Sequence, residues 1–228
     1  MNESMTECRV RMRDGVPLIT VVQTPAGRGP WPAVLTRAYS TSFNGDSSRW
    51  LAAGYACVAQ QTRNEGGDDG TRFFHDGRDG YDTIEWIAAR DWCDGQVAMF
   101  GKSYWGITQW LAALEQPPHL RAIIPQNYSM DSWKRGYRAH GAVTLAMTCN
   151  GRAVEGGATP DRDWYLQLPL AELDSRGAGR VSPLWRDYVG HNEFDDYWQA
   201  ISVRSDGADG KYGRIQIPVF IMGGWWDY

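Results

Sequence analysis

The stretch Val97-Ala98-Met99-Phe100-Gly101-Lys102-Ser103-Tyr104-Trp105-Gly106 constrains the fold of this 228-residue chain more than any other. Val97 to Phe100 is a short apolar run that follows an Asp94-Gly95 turn, and it reads as a buried strand. Tyr104 to Leu114 reads as a helix, closed by Pro117-Pro118. Only a tight turn fits between them, and Ser103 occupies it. A serine at such a turn takes a strained backbone, and its neighbours must be small so that strand and helix can approach. Gly101 supplies that room. The hydroxyl of Ser103 would then project above the C-terminal edge of a sheet, where open α/β sheets bind ligands. The helix N-terminus beneath it favours developing negative charge. The bland alternative is a serine that only caps the helix. The common form of this turn, G-x-S-x-G, asks for glycine at 105. Trp105 stands there, and the glycine comes one residue later at Gly106.

The rest of the chain supplies partners for that strand. Cys8 to Met12 alternates, Asp14-Gly15 turns, and Leu18 to Gln23 is apolar and β-branched, which together predict a hairpin. Ala33 to Thr36 and Tyr55 to Gln60 read as further strands, as does Arg121 to Pro125. Tyr81, Ile84, Ile87 and Ala88 share one face of a helix predicted over Asp79 to Arg90. Strands alternating with helices predict an α/β fold: a mostly parallel sheet with helices on both faces. From Ser129 to about Gly213 the chain turns rich in Trp, Tyr, Arg and Asp, and it reads as a mainly helical insertion. A strand signal returns at Ile215 to Met222. The expected division is a core in residues 1–129, a helical cap insertion in 130–212, and a return to the core in 213–228.

Composition excludes several classes. The net charge is −4 and no basic run exists, so nucleic acid is not an expected partner. The apolar runs are far shorter than the roughly 18 residues of a membrane span. The start, Met1-Asn2-Glu3-Ser4-Met5, has no basic or apolar leader region, and a cytoplasmic setting is expected. Cys8, Cys57, Cys93 and Cys149 are widely scattered and read as free thiols, with no zinc-ligand spacing. No metal or organic cofactor is expected, because acyl transfer through a serine needs neither.

A serine nucleophile needs a base, an acid behind the base, and two donors for the oxyanion. In the order these folds use, the acid follows the serine at the end of a later strand. Asp227, just past Ile215 to Met222, fits that place. The backbone N–H of Tyr104, next after the nucleophile, is one oxyanion donor by geometry.

The chain resembles the CocE/NonD hydrolases, the family of cocaine esterase, α-amino-acid ester hydrolases and X-prolyl dipeptidyl peptidases. The elbow has that family's G-x-S-Y-x-G form. Met12-Arg13-Asp14-Gly15-Val16-Pro17-Leu18 resembles its opening hairpin. Arg37-Ala38-Tyr39 resembles its R-x-P-Y, with Ala38 for proline. Arg63 to Gly70 resembles its R-G-x-G-x-S-x-G loop, with departures at Asn64 and Asp68, and Gln61 stands where aspartate is usual. His191 to Trp198 resembles its H-P-x-x-D-x-Y-W, and Gly224-Trp225-Trp226-Asp227 its G-W-Y-D. The resemblance implies an α/β-hydrolase fold and an acyl-enzyme on Ser103. It also implies Asp227 as the acid and the Tyr39 hydroxyl as the second oxyanion donor. The substrate would be a small ester, an amide or a short X-Pro peptide.

The family's base is a histidine after the acid, in a G-P-W-x-H-like segment. His75, His119, His140 and His191 all precede Asp227. An open reading frame that stops early, without the base or the family's C-terminal β-sandwich, is therefore expected, and with it weak activity. Two other readings compete. One is a non-catalytic binding module on a hydrolase fold. The other is a complete hydrolase with His191 as base and Asp131 or Asp187 as acid. A pocket for a substrate amine would need buried carboxylates; Glu155, Asp161, Asp163 and Glu172 are candidates, with solvation as their simpler role.

Overall fold

The computed structural model describes residues 4–63, 73–128, 131–134, 138–139, 141–145, 163, 166–177, 179, 181–203 and 210–226. The chain forms two compact units. The first holds residues 1–65, 75–128 and 210–227, and the second residues 66–74, 129–209 and 228.

The first unit is built on one six-stranded sheet. Its strands are β1 (Ser4–Arg11), β2 (Pro17–Thr24), β3 (Trp31–Ala38), β4 (Ala56–Gln61), β5 (Cys93–Lys102) and β6 (Leu120–Gln126), in the spatial order β1-β2-β4-β3-β5-β6. The hairpin β1–β2 and the β2–β4 pair are antiparallel, and the other pairs are parallel. The hairpin turns at Gly15, whose φ of 91° a side chain would resist. Every predicted strand before Gln126 is present, most of them longer than the apolar runs suggested. The segment after Ile215 differs. It pairs with β6 only through parallel bridges at Val219 and Met222. The ladder is interrupted between them because Pro125 of β6 has no N–H to donate to the segment, and Pro218 has none to extend it backwards. The Pro218 carbonyl accepts from Ile123 N, and Met222 N donates to the Pro125 carbonyl.

Helices cover both faces of the sheet. Helix α1 (Ser47–Ala52) was not foreseen; its carbonyl at Ser47 meets the Cys57 thiol, and Trp50 packs edge-on to Phe100. Helix α2 (Asp76–Ala88) meets Gln60, whose Oε1 accepts from Thr83 Oγ1 at 2.7 Å. Cys57 and Gln60 are three apart on β4 and so point to opposite faces. Helix α3 (Tyr104–Leu114) lies beside α2. Gly80 permits the close crossing, since a Cβ there would come within 2.6 Å of the Ala112 Cβ. Between α2 and the sheet lies a buried polar cluster. Arg37, fully buried, donates to Gln60 Oε1 and to the Asp76 carbonyl, both at 2.8 Å.

Arg63, at the end of β4, joins the hairpin to α2. Its guanidinium forks onto buried Asp79 at 2.7 and 2.6 Å and also pairs with Asp14 in the hairpin turn. The hydrogen bond from Arg63, helped by the Val16 N–H, holds the Asp14 carboxyl down at about 2. A carboxyl depressed in the folded state stabilises fully above its unfolded value of about 3.9, and that contribution is lost as pH falls through the lower value. Here the window runs from about 4 down to about 2. Arg63→Ala should return Asp14 towards about 3.9 in a carboxyl NMR titration. A midpoint that stays near 2 would mean that the Val16 N–H alone holds it.

The second unit, in its described part, contains helices α4 (Leu173–Gly177), α5 (Pro183–Gly190) and α6 (Asp196–Ile201), with a two-residue antiparallel pair, β7 (Arg138–Ala139) and β8 (Ala142–Val143). Asp174, fully buried, takes a two-bond fork from Arg186 and the Ser182 N–H, tying α4 to α5. Among the described residues no helix is long and apolar enough to cross a membrane.

Candidate active site

Ser103 sits between the end of β5 and the start of α3 with φ 57° and ψ −124°, outside the regions an L-residue takes without strain. The strain is held from both sides. Its N–H donates to the Gln126 carbonyl of β6 at 2.8 Å, and its own carbonyl accepts from Gly106 and Ile107 as α3 begins. The side chain makes no capping bond to α3. Ser103 is exposed, between exposed Lys102 and buried Tyr104. The reading of Ser103 as a helix cap therefore fails on geometry, since a cap serine takes an extended backbone and turns its oxygen onto the first N–H groups.

The glycines explain how Trp105 is accommodated. A Cβ on Gly101, at φ 143°, would lie 2.4 Å from the Trp105 Cβ. The larger residue at 105 thus makes the glycine two positions before the serine indispensable. At Gly106 a Cβ would reach 3.3 Å from the Gln126 carbonyl, a lesser conflict.

Tyr39 follows β3 at the same end of the sheet. Its ring stacks on that of Tyr104, centroids 4.4 Å apart, and meets Trp105 edge-on at 6.2 Å. The structure thus brings Tyr39 to the residues that follow Ser103, although they are far apart in sequence. Gln61 donates through Nε2 to the Tyr39 carbonyl at 2.9 Å. The aspartate usual at that place could not make this bond, because a carboxylate only accepts. Tyr104 is buried and its hydroxyl donates to Asp76 Oδ2 at 2.8 Å. Burial, then the Asp76 charge, pushes that phenol well above its ordinary 10. Asp76 was missed in the sequence because the predicted helix began at Asp79. The available signal was a pair of acids one turn apart on the otherwise inward face of α2.

Asp227 and His140 lie outside the described residues. His119 pairs through Nδ1 with Glu85 at 2.7 Å. His191 pairs with Asp195 and stacks on Tyr197. Its ring partner is therefore Asp195, and neither Asp131 nor Asp187. Asp131 instead accepts from the N–H groups of Trp133 and Lys134. The i, i+4 spacing from His191 to Asp195 makes the local pair. Of the four carboxylates considered for an amine, Glu155 and Asp161 lie outside the described residues. Asp163 is exposed, and Glu172 pairs with Arg176 at 2.6 Å. Among the described residues no three His, Cys, Asp or Glu side chains converge as a metal site.

A sheet with an antiparallel leading hairpin and parallel strands beyond it, carrying a strained serine between strand and helix, defines the α/β-hydrolase class. A family profile described as X-Pro dipeptidyl-peptidase (S15 family) matches residues 14–228. The chain belongs to that family of hydrolases. It is 34% identical over 251 aligned positions to the cocaine esterase of Rhodococcus sp. (strain MB1 Bresler), covering 96% of this chain and 43% of that protein. It is 27% identical to the Xaa-Pro dipeptidyl-peptidase of Lactobacillus helveticus (strain DPC 4571) over 62% of this chain and 22% of the relative. The chain thus spans less than half the length of these relatives. Among solved structures, an α-amino acid ester hydrolase superposes with a TM-score of 0.75 at 23% identity, covering 98% of this chain and 43% of its own. An aminopeptidase from a marine sediment Thaumarchaeota archaeon gives 0.77 at 23%, with the same coverages. These two likenesses establish the fold.

Proposed function

We propose that this chain carries the nucleophile-bearing part of a serine hydrolase that cleaves ester or amide bonds, X-Pro peptide bonds included. The observation that carries the reading is the strained, exposed Ser103 with Tyr39 and Tyr104 gathered beside it. The Ser103 Oγ adds to the substrate carbonyl carbon and its proton passes to a base. The carbonyl oxygen becomes the oxyanion, which accepts from the Tyr104 N–H and the Tyr39 hydroxyl. Collapse breaks the bond to the alcohol or amine, which leaves with the proton, and water then releases the acyl group by the same steps. Asp227 is the acid that orients the base. We assign the base to none of the four histidines in this sequence. The segment 130–212 is taken as the insertion that selects the substrate, and the cytoplasm as the setting.

A fluorophosphonate probe tests the nucleophile. We expect a slow adduct, mapped by mass spectrometry to Ser103 and lost in Ser103→Ala. Rapid labelling that survives this substitution would overturn the assignment, and absence of any Ser103 adduct would favour a non-catalytic binding module. If none of the four histidines serves as base, hydrolysis of p-nitrophenyl acetate by these 228 residues should not exceed the residual acceleration of about 10³–10⁴ over water that binding and an oxyanion hole supply. His191→Ala should leave it unchanged; ordinary turnover abolished by that change would make His191 the base.

A further inference from the structure

We propose that the Tyr104 side chain is a positioning residue. Asp76 holds its hydroxyl, and its ring holds the Tyr39 ring, so that the Tyr39 hydroxyl is aimed at the oxyanion formed on Ser103. This inference rests on the roles of Ser103 and Tyr39 proposed above, and it gives Tyr104 a second task besides its backbone N–H.

The chain of contacts is continuous. Asp76 opens α2 and is buried, with 4% of its surface exposed, and Tyr104 opens α3 and is equally buried. The 2.8 Å bond between them joins a phenol to a carboxylate, the stronger kind of hydrogen bond, and Thr62 Oγ1 lies 3.4 Å from the same hydroxyl. The Tyr104 hydroxyl is committed at the far end of the ring from Ser103, so it is not itself an oxyanion donor. What it does there is fix the plane of its ring.

Tyr39 lies on that plane. The two rings are inclined by 25° at a centroid distance of 4.4 Å, and Trp105 closes a second side at 80°. The Tyr39 main chain is anchored independently: its carbonyl accepts from Gln61 Nε2, and the Ala38 carbonyl accepts from Thr62 N at 2.7 Å. With the backbone pinned, the remaining freedom of Tyr39 is in its two side-chain torsions, and the stacked Tyr104 ring limits both. A donor displaced by about 1 Å can cost a reaction about 10²-fold, so a ring that sets this aim matters to rate without touching substrate.

The test is the rate of fluorophosphonate modification of Ser103 in the chain as it stands. Tyr104→Phe keeps the ring and removes its anchor, and should slow the reaction by about 10-fold, a fraction of the loss of a whole oxyanion donor. Asp76→Ala removes the same bond from its other end and should do likewise. It keeps the inference testable if Tyr104→Phe does not fold. Asp76→Asn leaves an oxygen for the hydroxyl and should restore most of the rate. The decisive measurement is the double-mutant cycle. Because Tyr104 acts through the Tyr39 hydroxyl, Tyr39→Phe combined with Tyr104→Phe, or with Asp76→Ala, should be no slower than Tyr39→Phe alone. Multiplying effects, or a parental rate in Tyr104→Phe and Asp76→Ala while Tyr39→Phe is slow, would overturn this inference alone. A parental rate in Tyr39→Phe would overturn the proposed oxyanion hole, and this inference with it.

Discussion

Gly101→Val should destabilise the first unit by about 2–6 kcal/mol, combining the strain of a disallowed backbone region with overpacking, each about 1–3 kcal/mol. The two penalties have separate sources here. At φ 143° a side chain is disfavoured whatever the space around it, and its Cβ would stand 2.4 Å from the Trp105 Cβ and 3.1 Å from Cγ. Neither atom can retreat easily, because Trp105 lies in the first turn of α3 and Ser103 is bonded to β6 behind it. Urea unfolding followed by tryptophan fluorescence would measure the loss. Gly106→Ala is the matched comparison: its Cβ would meet a carbonyl at 3.3 Å, with no positive φ, and a smaller loss is expected. Equal losses at the two positions, or a loss at Gly101 under about 1 kcal/mol, would show that the elbow relaxes around a side chain, against the usual cost of such strain.

Trp198→Ala should be comparably severe in the second unit, at about 3–5 kcal/mol for a fully buried tryptophan. Trp198 has no exposed surface, stacks on Tyr188 with centroids 5.8 Å apart, and donates its indole N–H to the His191 carbonyl at 2.7 Å. Asp195 caps α6 through the N–H groups of Tyr197 and Trp198, and pairs with His191. The stretch from His191 to Trp198 is therefore a self-contained fastening of α6, which accounts for the spacing of its polar and aromatic residues. Urea unfolding and loss of near-ultraviolet aromatic circular dichroism would read the change. Trp198→Phe keeps one aromatic ring but gives up the hydrogen bond and part of the packing, and should cost less than Trp198→Ala. A Trp198→Ala protein that unfolds with the parent would show that this core is not what holds α6.

Much of this was legible in the residues alone, for a definite reason. The order of strands and helices from β1 to β6 depends on apolar periodicity and on turns such as Asp14-Gly15 and Asp94-Gly95, all properties of neighbouring residues. The elbow was legible because steric exclusion at Gly101 and Ser103 operates over a few bonds. The exceptions were also local. Helix α1 has six residues and only Leu51 buried, too short for its period to show. The segment after Ile215 was overread as a strand because apolar content cannot tell a bridge-paired segment from a laddered one.

The tertiary structure decided how the side chains near the serine meet, and added Asp76 and the Gln61 bond to what the sequence had named. Tyr39, Gln61, Asp76 and Tyr104 come from β3, β4, α2 and α3 or their ends, and they meet only because β3 lies between β4 and β5. That adjacency is a property of the whole sheet: the crossovers put strands that are distant in sequence side by side, and no short window of residues records it. The sequence by itself pointed to Ser103 as strained and exposed, because only a tight turn fits between that strand and that helix; that its side chain does not cap α3 was decided by the folded backbone. Which aromatic would lie against its neighbour, and which buried acid would hold that neighbour, depended on contacts between residues 28 to 65 positions apart, settled only when the sheet is assembled.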